Sequence, residues 1–295
     1  MRWSMTSLTV KIIAAACMAL AGIGMRIPGA PAWLEWFAYP SLILFMFMVG
    51  WSCEYTRNRG DYLVRLYMSG VVAAIIQTIF RVEPNPFPLL LQIAILIVIL
   101  RNGDRMKRVR YIALYVLWQT VWFVMLNQIF PFRELPWLAD YRHMIVAFFA
   151  LMPTWDYRLG MVVVGVLMWR FRRSPRKLGI TVLAAVVVWI AMMNTRIGLW
   201  VLYLPYHLDA LGPGAIGLGA VDPGSTAWAI ALQYIGFDPY AMGAPLFAQP
   251  LWLIAAALPV MLLYNRRRGF PNPDSVSRKW FFYFLYPAGL IACAG

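Results

Sequence analysis

The two histidines of the chain are the side chains best suited to move a proton near neutral pH, and each has an aspartate close by. Asp140 lies three residues before His143, and Asp209 two residues after His207. An imidazole oriented by a carboxylate is the usual general base for activating an amine or hydroxyl. An imidazole at a water interface, with no chemical task, fits the same residues. Other candidates are charges and strong hydrogen-bonding groups close to apolar runs, namely Lys11, Glu35, Asn194, Arg196 and the pair Asp156 and Tyr157. Such groups are costly in lipid unless they pair or line a pathway. Gly212, Gly214 and Gly217 spell GxGxxG, yet no strand precedes them and no helix with an acidic partner follows, so the dinucleotide mechanism has no support. HExxH, a phosphate-binding lysine loop and a nucleophile elbow do not occur. Cys17, Cys53 and Cys293 show no metal spacing, and no metal is expected; they read as small buried hydrophobes.

These groups are set among long greasy segments. Hydrophobic residues make up 62% of the 295 and charged residues only 13%. Mean hydropathy is +0.67. An ordinary soluble domain is about 45–50% apolar, so the class is a membrane helical bundle. Apolar runs at 9–27, 34–53, 66–82, 86–100, 111–130, 157–171, 178–203, 248–264 and 280–295 predict about nine transmembrane helices. The formal charge of +14 does not point to nucleic acid, because the basic residues punctuate the spans instead of lining one stripe. They fit contact with anionic lipid headgroups.

Of the 26 Lys and Arg, twenty fall in five clusters at alternate span ends: 2–11, 57–65, 101–110, 170–177 and 266–279. Loops rich in Lys and Arg stay in the cytoplasm. Nine crossings with a cytoplasmic N-terminus and an outer C-terminus put every cluster inside. The apolar stretches 137–153 and 226–247 would each reverse all later loops if they crossed, so they are expected to be interfacial or re-entrant. Asp140, Arg142, His143 and Pro153 interrupt the first, and Asp238, Pro239, Gly243 and Pro245 the second. Residues 1–32 also have the make-up of a signal peptide, but Arg26 interrupts the approach to the small-residue run 29–32. Residues 1–295 read as one integral domain.

Three stretches carry a resemblance to a known family. LTVKIIAAACMALAGIG (8–24), FAYPSLILFMFMVG (37–50) with TRNRGDYLVRL (56–66), and LYNRRRG (263–269) with KWFFYFLYP (279–287) look like the first helix, the second helix with its basic loop, and the closing signature of the TraX family. WDYRLGMVVVGVLMW (155–169) is a weaker match. TraX proteins are integral membrane proteins associated with N-terminal acetylation of conjugative pilin. The resemblance implies a bacterial inner membrane, acyl-CoA as donor, a membrane-embedded His as base, and pilin or another exported envelope protein as acceptor. It implies a cavity shaped by Lys11, Arg65, Asp156, Tyr157, Asn265 and Tyr286, with Lys11 and Arg65 contacting phosphate. Where the family has Asp-His in its first helix this chain has Ala21 and Gly22, and where a His follows the closing Tyr-Pro it has Gly289. Three functions follow: an active acyltransferase using His143 or His207, a catalytically degenerate relative serving as a membrane subunit of a pilus or other envelope complex, and a transporter. The last has broken segments in its favour but no visible symmetry between chain halves.

Overall fold

The computed structural model describes residues 4–81, 85–125, 141–151, 159–204, 227–247, 250–267 and 283. Among the described residues all regular structure is helical, apart from one isolated parallel bridge between Met5 and Tyr264. The helices are α1 (Ser7–Arg26), α2 (Ala38–Tyr55), α3 (Arg59–Phe80), α4 (Phe87–Leu100), α5 (Arg105–Val124), α6 (Arg142–Phe148), α7 (Leu159–Phe171), α8 (Pro175–Asn194), α9 (Arg196–Leu202), α10 (Ala227–Ile235) and α11 (Leu258–Leu262). A 3₁₀ turn at Ala32–Phe37 leads into α2, and another at Pro250–Ala257 leads into α11. Four segments are long and apolar enough to cross a membrane: Ser7–Arg26, Ala32–Tyr55, Arg59–Phe80 and Pro175–Asn194. Phe87–Leu100, Leu159–Phe171 and Pro250–Leu262 are apolar but shorter.

The local sequence explains where these helices start. The helices that begin beside a basic cluster each have a polar N-cap: Thr6 for α1, Asn58 for α3, Asp104 for α5 and Ser174 for α8. Each side-chain oxygen accepts from a backbone N–H of the first turn, as Asp104 does from Met106 at 2.9 Å, which satisfies donors the helix cannot. At the opposite end, α2 follows Phe37 and α4 follows Pro86, with no side-chain cap. There the turn at 32–37 and Pro88 set the entry.

α2 and α4 form the centre. α2 buries Ile43, Leu44 and Met46, and α4 buries Leu89, Ile93 and Ile97. α1, α7 and the Pro250–Ala257 turn pack on α2, whereas α3, α5 and α7 pack on α4. Small residues set the close approaches: a Cβ on Gly165 of α7 would lie within 3 Å of two Ile93 side-chain atoms, and one on Gly50 of α2 would lie 3.2 Å from Trp169 Cβ. α5 stands at the edge, and Leu114, Val116, Leu117 and Val121 are all about half exposed.

Two elements differ from continuous crossing helices. The run 178–203 is broken, because Thr195 is extended and caps α9 through its hydroxyl, which accepts from Ile197 N at 3.1 Å. A Cβ on Gly198 would collide with Met192 O, so the glycine permits α9 to fold back on the end of α8. α4 begins deep: Asn85 Nδ2 donates to Gly70 O at 3.1 Å, and Phe87 packs on Gly70. α3 continues past Gly70 to Phe80, roughly 15 Å of further rise.

The stretch 137–153 contains α6, which ends where Ala150 takes a left-handed φ of 49°. The stretch 226–247 contains α10 and a 3₁₀ turn at Pro239–Ala241, with positive φ at Gly236 and Gly243. Among their described residues both stretches hold only short helices and turns. The second packs against α8 and α9 through Met193, Leu202, Ala229, Leu232 and Met242. Gly243 N donates to Met193 O at 2.8 Å and Asn194 Nδ2 to Ala244 O at 2.9 Å, so the loop covers the break between α8 and α9.

Candidate functional site

The last turns of α2 place Trp51, Glu54 and Tyr55 on one face, at spacings of three and four. Opposite them stand Arg101 at the C-cap of α4, Trp169 and Arg172 at the end of α7, and Tyr264 with Arg266 after α11. One oxygen, Glu54 Oε1, accepts from Arg172 Nη2 at 2.5 Å, Arg101 Nη1 at 3.3 Å and Trp169 Nε1 at 3.3 Å. Arg101 Nη1 also donates to Cys53 O at 2.8 Å, and Arg172 Nη1 to Trp169 O at 2.5 Å. The side chains are largely withdrawn from solvent, at 17% exposure for Glu54, 24% for Arg101 and 10% for Arg172. Burial pulls the Arg172 guanidinium below its ordinary value; Glu54 opposes that pull, and Arg173, Arg101 and Arg170 add to it.

Aromatic rings hold these cations in place. Arg172 Cζ lies 5.1 Å from the Trp169 ring centroid and 5.8 Å from that of Trp51, and Arg266 Cζ also lies 5.8 Å from Trp51. Trp51 in turn stacks on Tyr55 at 5.7 Å and meets Tyr264 edge-on at 5.4 Å. Arg266 is fixed by its backbone: its φ is 64°, its carbonyl accepts from Tyr55 OH at 2.7 Å, and its Nη2 donates to Arg173 O at 3.0 Å. Among the described residues, Glu54 thus meets two guanidiniums, and the third, that of Arg266, lies on the Trp51 ring. Two buried donors, Trp51 Nε1 and Arg172 Nε, have no acceptor among the described residues.

Beside this cluster, Leu263–Arg267 is tied to the first described residues. Met5 N donates to Leu263 O at 2.9 Å, Asn265 N to Met5 O at 2.9 Å, and Ser7 N to Arg267 O at 2.8 Å. The Asn265 side chain donates to Ser4 Oγ at 3.3 Å. Lys11 follows on the second turn of α1, half-buried. Arg65, on the second turn of α3, hydrogen-bonds Tyr283, and its Nε is buried without an acceptor. Of the residues expected from sequence, Lys11, Arg65 and Asn265 therefore share the basic end. Ala21 is buried, and a Cβ on Gly22 would meet only Arg26 Nη1, at 3.3 Å. His143 stands on α6, half-buried, and that helix packs on α3, whereas Gly22 belongs to α1, which packs on α2 and the turn before it. Asp156, Tyr157, His207, Tyr286 and Gly289 lie outside the described residues. Among the described residues no three His, Cys, Asp or Glu are grouped to hold a metal.

A second polar group sits inside the bundle. Gln92, fully buried on α4, donates to Ala150 O at 2.6 Å and accepts from Tyr115 OH at 2.7 Å. Gln119 donates to Ala150 O at 3.1 Å, Trp118 Nε1 to Phe149 O at 3.0 Å, and Tyr67 OH to Phe148 O at 2.9 Å. The carbonyls that α6 leaves unpaired at its C-terminus are thus satisfied by side chains of α3, α4 and α5.

Sequence reasoning missed Glu54, Arg101 and Arg172 as a unit, and Gln92 altogether. Glu54 did carry a signal: it is an acid at a span end, three residues before the basic cluster that starts at Arg57. No family model matches the chain, and neither does any curated protein or solved structure.

Proposed function

We propose that the protein is a TraX-like integral membrane protein of the acyltransferase type. In this reading it crosses a bacterial inner membrane nine times, with the Glu54 end in the cytoplasm and both broken segments on the outer side. The donor is an acyl-CoA reaching the basic end, and the acceptor is pilin or another exported envelope protein. One observation carries the reading: the second and third family-like stretches, and the residues that lead into the first, adjoin at that end. Met5, which precedes the first stretch, pairs with Tyr264 of the third; Phe47 of the second meets Tyr264 at 5.6 Å. Tyr55, beside the second, donates to Arg266 of the third. The test is acyl transfer from labelled acyl-CoA to envelope proteins by the purified chain, compared with His143→Ala and His207→Ala. Activity abolished by either change supports an enzyme whose base has moved; no transfer by the unmodified protein removes the catalytic reading.

A second reading, a non-catalytic subunit of a pilus, conjugation or other envelope complex, is favoured by Ala21 and Gly22. Neither side chain can take a proton, and His143 stands on an element packed elsewhere. Stoichiometric co-purification with envelope partners supports it, whereas a lone protein active in acyl transfer excludes it.

A further inference from the structure

We infer that Trp51, Arg172 and Arg266 form a binding site for a phosphate group, with Glu54 as an internal competitor that occupies part of it when no ligand is bound. The charge balance is the first ground. Arg101 and Arg172 share the single carboxylate oxygen, while the Arg266 guanidinium donates to a backbone carbonyl and pairs with no carboxylate among the described residues. Arg101 and Arg172 are largely buried, whereas Arg266 is exposed, so an anion arriving from solvent meets a guanidinium that no carboxylate holds among the described residues. The second ground is independent of charge. Trp51 is 5% exposed, and among the described residues neither its indole N–H nor the Arg172 Nε–H finds an acceptor. Buried donors are nearly always satisfied, so these two, on side chains that already contact one another, are open to a ligand oxygen.

A phosphate suits these donors by chemistry. It offers several strong acceptor oxygens in different directions, and guanidinium groups are well matched to it. Binding would let Arg172 turn from Glu54 toward the ligand, with the carboxylate retained by Arg101. The same chemistry is available from the headgroup of an anionic lipid and from a soluble phosphate compound. It does not depend on acyl transfer: an inactive protein that binds phosphate keeps this site, and an active one blind to phosphate loses it.

The test uses the full chain purified in detergent, titrated calorimetrically with pyrophosphate, and in parallel the chain in nanodiscs of phosphatidylcholine with or without phosphatidic acid, read by native mass spectrometry. Binding of pyrophosphate assigns a soluble source, and retention of phosphatidic acid alone assigns a lipid source. In either arm, Trp51→Phe and Arg266→Gln should weaken binding about tenfold each, the size of one lost charge-assisted hydrogen bond. Glu54→Gln should tighten it several-fold by removing the competitor, a gain that misfolding cannot produce. Trp51→Phe also deletes an unsatisfied N–H while keeping an aromatic ring, so its unliganded melting temperature should be close to that of the parent. The inference is overturned if neither ligand binds, or if binding is indifferent to all three substitutions.

Discussion

The Gln92 amide of α4 donates to the Ala150 carbonyl at 2.6 Å, and its own oxygen takes the Tyr115 hydroxyl of α5 at 2.7 Å. One buried side chain thereby joins two helices and the end of the broken segment. Replacing Gln92 by Leu leaves Tyr115 without its acceptor and Ala150 O with Gln119 alone. The expected cost is about 1–3 kcal/mol. Hydrogen exchange should rise at 145–151, and unchanged protection there would show that α6 is held by other means.

Removing Glu54 should destabilise more than removing an exposed acid. Glu54→Ala leaves Arg101 and Arg172, both largely buried, without their shared counter-charge, at a cost of about 2–4 kcal/mol. In a double-mutant cycle with Arg172→Gln the losses should be strongly non-additive. Additive melting-temperature losses in detergent would mean that the 2.5 Å pair carries no coupling.

Enlarging Gly165 should be costly because its neighbour cannot yield. Ile93 is fully buried, and two of its atoms lie within 3 Å of the added Cβ. Gly165→Ala is expected to lose about 1–3 kcal/mol by overpacking. The companion Gly165→Ala, Ile93→Val should recover part of that loss; no recovery would place the strain elsewhere.

Membrane topology is open to a labelling test in a background with Cys17, Cys53 and Cys293 changed to Ala. Ala30→Cys should react with an impermeant thiol reagent in intact cells, whereas Asn102→Cys and Arg173→Cys should react only after permeabilisation. Labelling of position 102 in intact cells would reverse the assignment drawn from the basic clusters.

The helical plan was legible because its signals are local. Thr6, Asn58, Asp104 and Ser174 each sit where an apolar run begins next to basic residues, and each caps the expected helix. The break in 226–247 was legible for the same reason, through Asp238, Pro239 and Gly243, whereas the left-handed turn at Ala150 in 137–153 carried no such signal. The Glu54 cluster was not, because its members are far apart in sequence: Trp169 lies 115 residues and Arg172 118 residues from Glu54. No spacing rule reaches that distance. The break at Thr195 was hidden because threonine in an apolar run reads as an ordinary helical residue until its hydroxyl is seen capping the next helix. Gln92 was hidden by its setting, a lone amide in FPLLLQIAILIVIL whose partners lie on α5 and beyond α6.

The bridge between Met5 and Tyr264 has a consequence for biogenesis. The neighbouring bond from Asn265 to Ser4 closes a separation of 261 residues, so the mooring of α1 at the basic end is delayed until residue 265 has left the ribosome. Until then α1 rests on α2 and the turn before it, through contacts such as Ser41 Oγ to Ala14 O at 2.8 Å. Assembly therefore finishes by a late docking step, and a nascent chain halted before residue 263 should leave its amino-terminal segment open to protease.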